Sequence, residues 1–392
     1  MSSFKKIVQK IIPEHFNQTA FSLSKDNMGL LNNVKHNIMS QLQLIRQDEV
    51  VQTKRSIPTT DLEGNVYFDA SIIDEIQRKY THTVVFEYHD TIHIKLLFHF
   101  LSNSGKHNLE KYKDIMLSWL LLLKRYETPS CVKTVEVDMY LTQFKKKLKE
   151  STASYRGGSK QDVLVPLGGY NVNTGFTQRC ARYNKGNGNI VLYREEDLLK
   201  VFFHESMHLF NMEFHDTGEY SARKIIRIDS DINIFESYCE TWARLINILY
   251  YSIYYPNNDL QILMIAEALY SLKQAIKVLN YYRLSVEDIH DNIEKVGTQF
   301  TEKSNVYSYY IVTAMLLTHP DNFLTFCRTF NVNTLKFNKK HLNKYIHLLE
   351  SILKSRNIIS IKDEFNSAFE SEYRQANTTE ANSLKMSFYS VM

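Results

Sequence analysis

The sequence contains no hydrophobic run long enough to cross a membrane, which takes about 20 consecutive apolar residues. The run from Ile115 to Leu123 is too short and is followed by Lys124 and Arg125, so we interpret it as a buried helix. The N-terminal segment, from Met1 to Pro13, is basic and amphipathic, but it lacks the apolar core and cleavage site of a secretory signal. We therefore expect no membrane span and an intracellular, cytoplasmic location.

Cysteine is scarce, with four residues in a chain of 392: Cys131, Cys180, Cys239 and Cys327. They lie far apart in the sequence and form no Cys-x-x-Cys pair, which excludes a small disulfide-rich scaffold. We expect a reducing compartment and no disulfide framework.

Charge of one sign is not in excess either. The 47 lysine and arginine residues nearly balance the 43 acidic residues, for a formal net charge of +4. We interpret the lysine-rich run from Phe144 to Lys149 as an exposed helix face and not as a nucleic-acid patch. The sequence therefore predicts no nucleic-acid partner.

One arrangement in the chain does specify a reaction: His204-Glu205-Ser206-Met207-His208, an H-E-x-x-H pentapeptide. Residues four apart lie one turn above each other on a helix, so both imidazoles can bind one metal ion while Glu205 reaches a metal-bound water. Zinc is the usual ion at such a site. Chance produces the string in roughly one of thirty to forty chains of this composition, so its surroundings decide its weight.

The residues around the pentapeptide are apolar on nearly every side: Leu198, Leu199, Val201, Phe202, Phe203, Met207, Leu209 and Phe210. This pattern predicts a helix buried in a domain core, with Glu195, Glu196 and Asp197 in its first turn. Buried histidines without partners would be unstable, whereas a divalent cation would keep them neutral and bound. The alternative is an ordinary histidine pair that meets backbone carbonyls or solvent.

A second amphipathic helix is predicted from Asp231 to Tyr250, and it carries Glu236 and Glu240 one turn apart. Either acid could supply a third metal ligand. Because Arg244 follows Glu240 by four residues, the acids could instead belong to an ion-pair ladder on an exposed helix face.

An H-E-x-x-H helix followed by a helix with two acids four residues apart resembles the gluzincin group of zinc metallopeptidases, which includes thermolysin-like enzymes. The resemblance covers the segment from Arg194 to Leu245 and lies in the pattern, not in the overall sequence. Position 240 carries Glu where the family more often has Asp. The resemblance implies a two-lobed, zincin-like fold that binds Zn²⁺ and acts on a peptide or protein substrate.

The resemblance also implies a role for each matching residue. His204, His208 and Glu236 would bind the zinc ion. Glu205 would be the general base, and Glu240 would orient a zinc-bound histidine from behind.

Other ligand sets remain open. Asp216 could replace Glu236 or Glu240 as third ligand, as in aspzincins. His215 falls one position beyond the third histidine of metzincins. Cys180 is available for a set like that of peptide deformylases, but its flanking residues do not match that family.

The strand expected at the rim of the site lies in a glycine-rich region. Seven of the 12 glycines fall between residues 157 and 188, without a phosphate-binding fingerprint, so we assign them to turns and close approaches between strands. By analogy with zincins, Asn189 to Tyr193 or Val172 to Thr177 could pair with an extended peptide. A purely structural hairpin is the alternative.

Peptide hydrolysis also needs a hydrogen-bond donor for the oxyanion. The chain has 25 tyrosines, and Tyr309 and Tyr310 on a predicted helix are the first candidates. His215, Tyr220 and His319 are the others.

The patterns together predict an α+β fold that is predominantly helical, with a small sheet before the metal-binding helix and a helical C-terminal part. Strands are predicted at 82–88, 91–98 and 132–137, and helices at 138–150 and from 258 almost to the end. We divide the chain into a mostly helical region, 1–125, and a zincin-like metallopeptidase domain, 126–392. Within that domain, 126–228 holds the small sheet and metal helix, and 229–392 forms a helical lobe.

The predicted function is zinc-dependent peptide hydrolysis, in which Glu205 acts as general base on a zinc-activated water. The competing prediction is a non-catalytic zincin-fold protein with a structural or binding role.

Overall fold

The computed structural model describes residues 21–45, 51–55, 70–101, 108–127, 131–148, 152–156, 159–180, 185–215, 225–226, 228, 230, 232–373 and 382–390. Its helices are α1 (Lys25–Ile45), α2 (Ala70–Lys79), α3 (Leu109–Tyr126), α4 (Gly169–Val172), α5 (Leu198–Leu209), α6 (Ile234–Tyr254), α7 (Leu260–Tyr281), α8 (Val286–Asp291), α9 (Ile293–Gln299), α10 (Thr313–Thr318), α11 (Pro320–Phe330), α12 (Leu342–Lys354) and α13 (Asn357–Tyr373). A π-helix (Tyr307–Val312) precedes α10, and a 3-10 helix (Lys339–His341) precedes α12. Its strands are β1 (Val51–Arg55), β2 (Tyr80–His89), β3 (His93–Leu101), β4 (Thr134–Tyr140), β5 (Thr152–Arg156), β6 (Ser159–Val163), β7 (Leu167–Gly168), β8 (Gly175–Gln178), β9 (Asn187–Leu192) and β10 (Glu302–Lys303).

Six strands form one mixed sheet in the order β1, β2, β3, β4, β9, β8. The hairpin of β2 and β3 is antiparallel, β4 is parallel to both of its neighbours, and β8 is antiparallel to β9. Central strand β4 is buried on both faces, since Val135, Val137, Met139 and also Asp138 have almost no exposed surface. All six strands precede α5 and most of the helices follow it, in a mixed, mostly helical fold.

The sheet joins the two regions that the sequence analysis divided at residue 125. Strand β3 lies before that boundary and β4 after it, yet the two are parallel neighbours connected through α3. One hydrophobic core extends from Phe21 to Tyr389. Residues on both sides of the predicted boundary therefore share one sheet and one core.

Helix α3 is buried from Ile115 to Leu123, as its run of apolar residues predicts. Within the described part of the chain, no helix is both long enough and apolar enough to span a bilayer.

The helix predicted at 138–150 is wrong. Strand β4 continues to Tyr140, and the described residues that follow it, up to Leu148, are not helical. Lys146 is not on an exposed face but fully buried, with its ammonium group 3.0 Å from a carboxylate oxygen of Asp197. The helix-forming tendency of a lysine-rich run is outweighed here by strand pairing and by a buried ion pair.

The sequence predicts no disulfide framework, but the structure does contain a disulfide. Cys131, just before β4, and Cys180, just after β8, form a disulfide with their Cα atoms 6.2 Å apart. Cys239 and Cys327 are buried free thiols. A separation of 49 residues without a flanking motif left no sign of this pair in the sequence. Cysteine usage therefore no longer argues for a reducing compartment.

The segment 382–390 packs across the start of α5. Asp197 accepts hydrogen bonds from the backbone N–H groups of Met386 and Ser387, at 2.7 and 3.2 Å. Glu267 accepts one from the backbone N–H of Phe388 at 2.9 Å. Two buried carboxylates thus hold the end of the described chain, Asp197 at the start of the helix that carries the H-E-x-x-H pentapeptide and Glu267 on α7.

Candidate metal centre

The buried helix predicted to carry the H-E-x-x-H pentapeptide is present as α5, and all twelve of its residues are buried. It begins at Leu198, so the three acids placed in its first turn precede it, and Asp197 pairs with Lys146. The indole N–H of Trp119 in α3 donates a hydrogen bond of 2.6 Å to Ser206 in the middle of the pentapeptide. These contacts fix both the position and the rotation of α5 in the core.

Two glycines permit close approaches, one between the sheet and this helix and one between two strands of the sheet. A Cβ atom at Gly188 in β9 would overlap the Leu209 side chain of α5. A Cβ atom at Gly175 in β8 would overlap the side chain of Leu192 and the carbonyl of Val191. At these two positions the glycines serve the close approaches that the sequence predicts.

Three side chains meet at one point between α5 and α6. His204 Nε2 lies 3.0 Å from His208 Nε2 and 3.0 Å from Glu236 Oε2, and the last two atoms are 3.2 Å apart. Ligand atoms about 2.0–2.1 Å from a tetrahedral zinc ion lie about 3.3 Å from one another. The three atoms therefore fit three corners of a zinc coordination tetrahedron, and the chemistry of two imidazoles and a carboxylate suits that ion.

Glu240 lies behind His204. One of its oxygens, Oε2, is 3.3 Å from His204 Nδ1 and 2.9 Å from the ammonium group of Lys200. The other, Oε1, accepts a hydrogen bond of 3.0 Å from Arg244 Nε. The acid-base pair of an exposed ladder is thus present, but Glu240 and Arg244 are almost fully buried and the ladder is not on a surface.

The Nδ1 atom of His208 contacts other residues than the Nδ1 atom of His204 does. Glu213 Oε1 lies 3.4 Å from His208 Nδ1, and the Cys239 sulfur lies 3.9 Å from the same atom. Burial acts to raise the pKa of Glu213, but hydrogen bonds from His208 and His215 outweigh it and lower that pKa to about 2. Burial raises the pKa of the Cys239 thiol to about 11, so the thiol stays protonated.

Glu213 is a residue of the centre that the sequence patterns do not predict. The residue stands in the turn after α5, where no helical periodicity marks its direction. The available signal was an acid between two apolar residues, Met212 and Phe214, shortly after the pentapeptide. Such an acid is expected to be buried with a partner.

Arg179 was missed as well. Its Nη2 lies 3.1 Å from Glu213 Oε1 and 3.2 Å from His208 Nδ1, and its guanidinium group lies 5.6 Å from the ring centre of Phe235. Arg179 directly follows β8 and is next to Cys180 in the sequence. The disulfide therefore lies beside the support of His208.

The carboxylates around the histidines set the charges of the centre. Burial acts to lower the pKa of His204, but hydrogen bonds with Glu236 and Glu240 raise it above its ordinary value. Burial acts to raise the pKa of Glu236, and the two imidazoles lower it well below its ordinary value. Because these carboxylates favour protonated histidines, a metal ion has to displace protons when it binds.

Glu205 faces a cavity of about 400 Å³ beside the three converging side chains. The cavity is lined by Gly169, Asn173, Gly175, Phe176, Thr177, Arg179, His204, Glu205, His208, Glu236, Lys303, Ser304, Asn305 and Tyr309. The Thr177 hydroxyl of β8 donates a hydrogen bond of 3.0 Å to the backbone carbonyl of Glu205. This contact joins the edge of the sheet to the pentapeptide.

Tyr309 and Tyr310 point to different places. Tyr309 lines the cavity, with its ring edge-on to His204 at 5.7 Å between ring centres. Burial, together with the charges of Glu236 and Glu205, raises its pKa well above the ordinary value, so Tyr309 keeps its phenolic proton. Tyr310 is fully buried and donates a 2.7 Å hydrogen bond to the carbonyl of Leu384, away from the cavity. The structure therefore does not bring Tyr310 to the centre.

The other predicted residues do not join the three converging side chains of His204, His208 and Glu236. His215 Nδ1 lies 3.0 Å from Glu213, and His319 bonds with the carbonyl of Met315 and with Ser355. Cys180 is occupied by its disulfide. Asp216 and Tyr220 lie outside the described residues.

Helix α5 ends at the position where the metal-binding helix of metzincins ends. Their motif has a glycine three positions after the second histidine. Here Asn211 occupies that position with a φ of 50°, the left-handed conformation that asparagine tolerates better than most residues. The helix therefore does end where it would in that family, but His215 turns to Glu213 and not to the cluster.

Of the two strand segments predicted at the rim, only the one containing β8 is at an edge. Strand β9 has β4 on one side and β8 on the other, whereas β8 pairs with β9 alone among the described strands. Gly175, Phe176 and Thr177 of β8 line the cavity. The two strands form the hairpin that was the structural alternative, and β8 still offers one side to the cavity.

Comparisons with known proteins add one relative. The chain is 26% identical over 192 residues to "Uncharacterized protein R210" of Acanthamoeba polyphaga mimivirus. The match covers 47% of this chain and 47% of that protein, so it spans about half the length of each. No family model matches the chain, and no solved structure matches it.

Proposed function

We propose that the protein is a zinc-dependent metallopeptidase of the zincin type. His204, His208 and Glu236 bind the ion, and Glu205 acts as general base. The observation that carries the proposal is the convergence of the three ligand atoms, 3.0–3.2 Å apart, in the wall of a cavity that Glu205 also lines.

Each residue then has a defined task. A zinc ion held by His204, His208 and Glu236 would lower the pKa of a bound water and polarise the scissile carbonyl. Glu205, as general base, would accept the proton of the attacking water and deliver it to the leaving amine. Tyr309, which keeps its proton, donates a hydrogen bond to the oxygen on which negative charge develops. Glu240 holds the imidazole of His204 from behind.

A peptide is the substrate that the cavity wall favours. An extended peptide can add to the side of β8 that faces away from β9 through backbone hydrogen bonds, and this would place its carbonyls beside Glu205. The sheet and helix α5 would form one side of a two-lobed zincin cleft, and the segment from Lys303 to Tyr309 would form the other.

The test compares the wild-type protein with Glu205→Gln on a peptide library, with zinc content measured for both. We expect the wild type to cleave peptides and the variant to keep its zinc but lose turnover, because only the proton acceptor is removed. Zinc in both proteins with no cleavage by either would favour the non-catalytic alternative. Equal turnover by both would contradict the role of Glu205.

A further inference from the structure

The support of His208 connects to the disulfide through a short series of contacts. His208 faces Glu213, Glu213 pairs with Arg179, and Arg179 is followed by Cys180. We propose that Glu213 is a positioning residue for His208 and that the Cys131–Cys180 disulfide makes this positioning depend on redox state. The inference rests on the proposed metal site and adds a way to regulate it.

A metal-bound His208 needs a hydrogen-bond acceptor for its Nδ1 proton. An imidazole that binds a metal through Nε2 is neutral and carries its proton on Nδ1, which then needs an acceptor. Among the described residues, Glu213 is the carboxylate at that position, 3.4 Å away. The Cys239 sulfur is farther, at 3.9 Å, and a neutral thiol is a weak acceptor.

Arg179 can hold Glu213 but cannot accept a proton from His208. A guanidinium group has donors only, so it cannot accept the Nδ1 proton of a metal-bound His208. It can hold Glu213, whose Oε1 lies 3.1 Å from Nη2 in an ion pair where the acid is fully buried and the arginine is about one third exposed. Arg179 therefore acts on the histidine through Glu213.

The Cys131 end of the disulfide is fixed by backbone hydrogen bonds. The backbone N–H groups of Cys131 and Val132 both donate to Glu127 Oε1, at 2.6 and 2.8 Å. Val132 is fully buried and leads directly into β4, at the centre of the sheet. The disulfide therefore ties Cys180 and the adjacent Arg179 to a firm part of the core.

Reduction would remove this tie. A phosphine reductant breaks the S–S bond, takes oxygen from water to become a phosphine oxide, and leaves the two protons of water on the thiols. The Cys131 side keeps its hydrogen bonds to Glu127, while Arg179 is then held only by the end of β8 and by its own contacts. The loosened Arg179 then holds Glu213 less firmly, while the contacts of Glu213 with His215 remain, so His208 is less well oriented.

The experiment measures zinc affinity by competition with a chelator, for oxidised protein and for protein reduced with a phosphine, which avoids thiol reagents that bind zinc. Titratable thiols are counted in both states. We expect reduction to add the two thiols of the disulfide and to weaken zinc binding on the order of 3- to 10-fold, because Arg179 acts through Glu213. Glu213→Gln should weaken it about 10- to 100-fold, and Glu213→Asp should restore part of the loss.

Three variants control this result. Cys131→Ala with Cys180→Ala should bind zinc like the reduced protein and should not respond to the phosphine. Arg179→Met should weaken zinc binding, whereas Arg328→Met, which breaks an exposed ion pair with Asp26, should not. The visible spectrum of bound Co²⁺ should change in Glu213→Gln, a change that loss of stability alone does not produce.

The outcomes separate the two proposals. Tight zinc binding that neither reduction nor Glu213→Gln alters would overturn this inference and leave the metal site in place. If Glu213→Gln does not fold, unchanged affinity in Arg179→Met would overturn it equally. A wild-type protein that binds no zinc would overturn both.

Discussion

His204 and His208 lie one turn apart on the same helix, but the groups behind them differ in kind. Behind His204, Glu240 is fixed by Lys200 and Arg244, all three almost fully buried. Behind His208, Glu213 stands in a turn, and its partner is a partly exposed arginine. One imidazole is thus backed by charged groups on helices of the packed core, and the other by a buried turn whose arginine partner precedes a disulfide-bonded cysteine.

The largest expected effect comes from the acid that contacts both histidines. Glu236→Ala should weaken zinc binding by more than about 100-fold, beyond the range for residues behind a ligand. Glu240→Ala should weaken it about 10- to 100-fold and also lower the free energy of unfolding by about 3–5 kcal/mol, because it leaves Lys200 and Arg244 buried without their shared partner.

Chelator competition and urea unfolding check this pair of variants. If Glu240→Ala emptied the site and Glu236→Ala only weakened it, the two acids would exchange roles. If Glu240→Ala left the free energy of unfolding unchanged, the support of His204 would be no firmer than the support of His208.

A smaller effect is expected at the tyrosine that meets His204 from the cavity. Tyr309→Phe should lower kcat about 100-fold or more while zinc stays bound, because one donor to the oxyanion is lost. The neighbouring Tyr310→Phe is the matched control. It loses only the hydrogen bond to Leu384, which costs about 1 kcal/mol of stability, and kcat should stay close to that of the wild type.

Steady-state kinetics on a cleaved peptide distinguish these variants. Equal kcat values for Tyr309→Phe and the wild type would remove Tyr309 from the reaction. A large loss in Tyr310→Phe alone would mean that the packing of the π-helix, and not the phenol in the cavity, controls turnover.

The smallest effect is a pH dependence on the cavity side, where Glu302 precedes the π-helix. Burial raises the pKa of Glu302 to about 7, although Tyr307 N–H and the Ser230 hydroxyl bond to it. The raised pKa means that the native state favours the protonated acid. Its contribution to stability is therefore complete below about pH 4.5 and is lost as the pH rises through about 7.

Glu302→Gln should remove this loss. Between pH 5 and pH 8, the free energy of unfolding of the variant should gain on the order of 2 kcal/mol relative to the wild type. Urea unfolding at several pH values measures the difference, and parallel curves for the two proteins would show that Glu302 is ionised in the native state.

The residues of the centre that lie on helices could be predicted from the sequence, and those outside helices could not. His204, Glu236 and Glu240 lie on two helices whose apolar periodicity gives the direction of each side chain. Glu213 and Arg179 lie in a turn and after a short strand, where direction depends on tertiary packing. The sequence therefore predicted the acid behind His204 and missed the two residues behind His208.

The fold divides in a similar way. The hairpin of β2 and β3, helix α3 and the helices after residue 258 follow from long apolar patterns. The helix predicted at 138–150 failed because Lys146 is paired with Asp197, 51 residues away in the sequence. The disulfide and the ordered segment 382–390 also depend on contacts between distant residues, which leave no local pattern.

The most direct test of the central claim is the zinc content of the purified protein after exposure to zinc and removal of unbound metal, measured by elemental mass spectrometry. We predict about one zinc ion per chain for the wild type and almost none for a variant with His204→Ala and His208→Ala. A wild-type protein without stoichiometric zinc, or a double variant that retains it, would contradict the account.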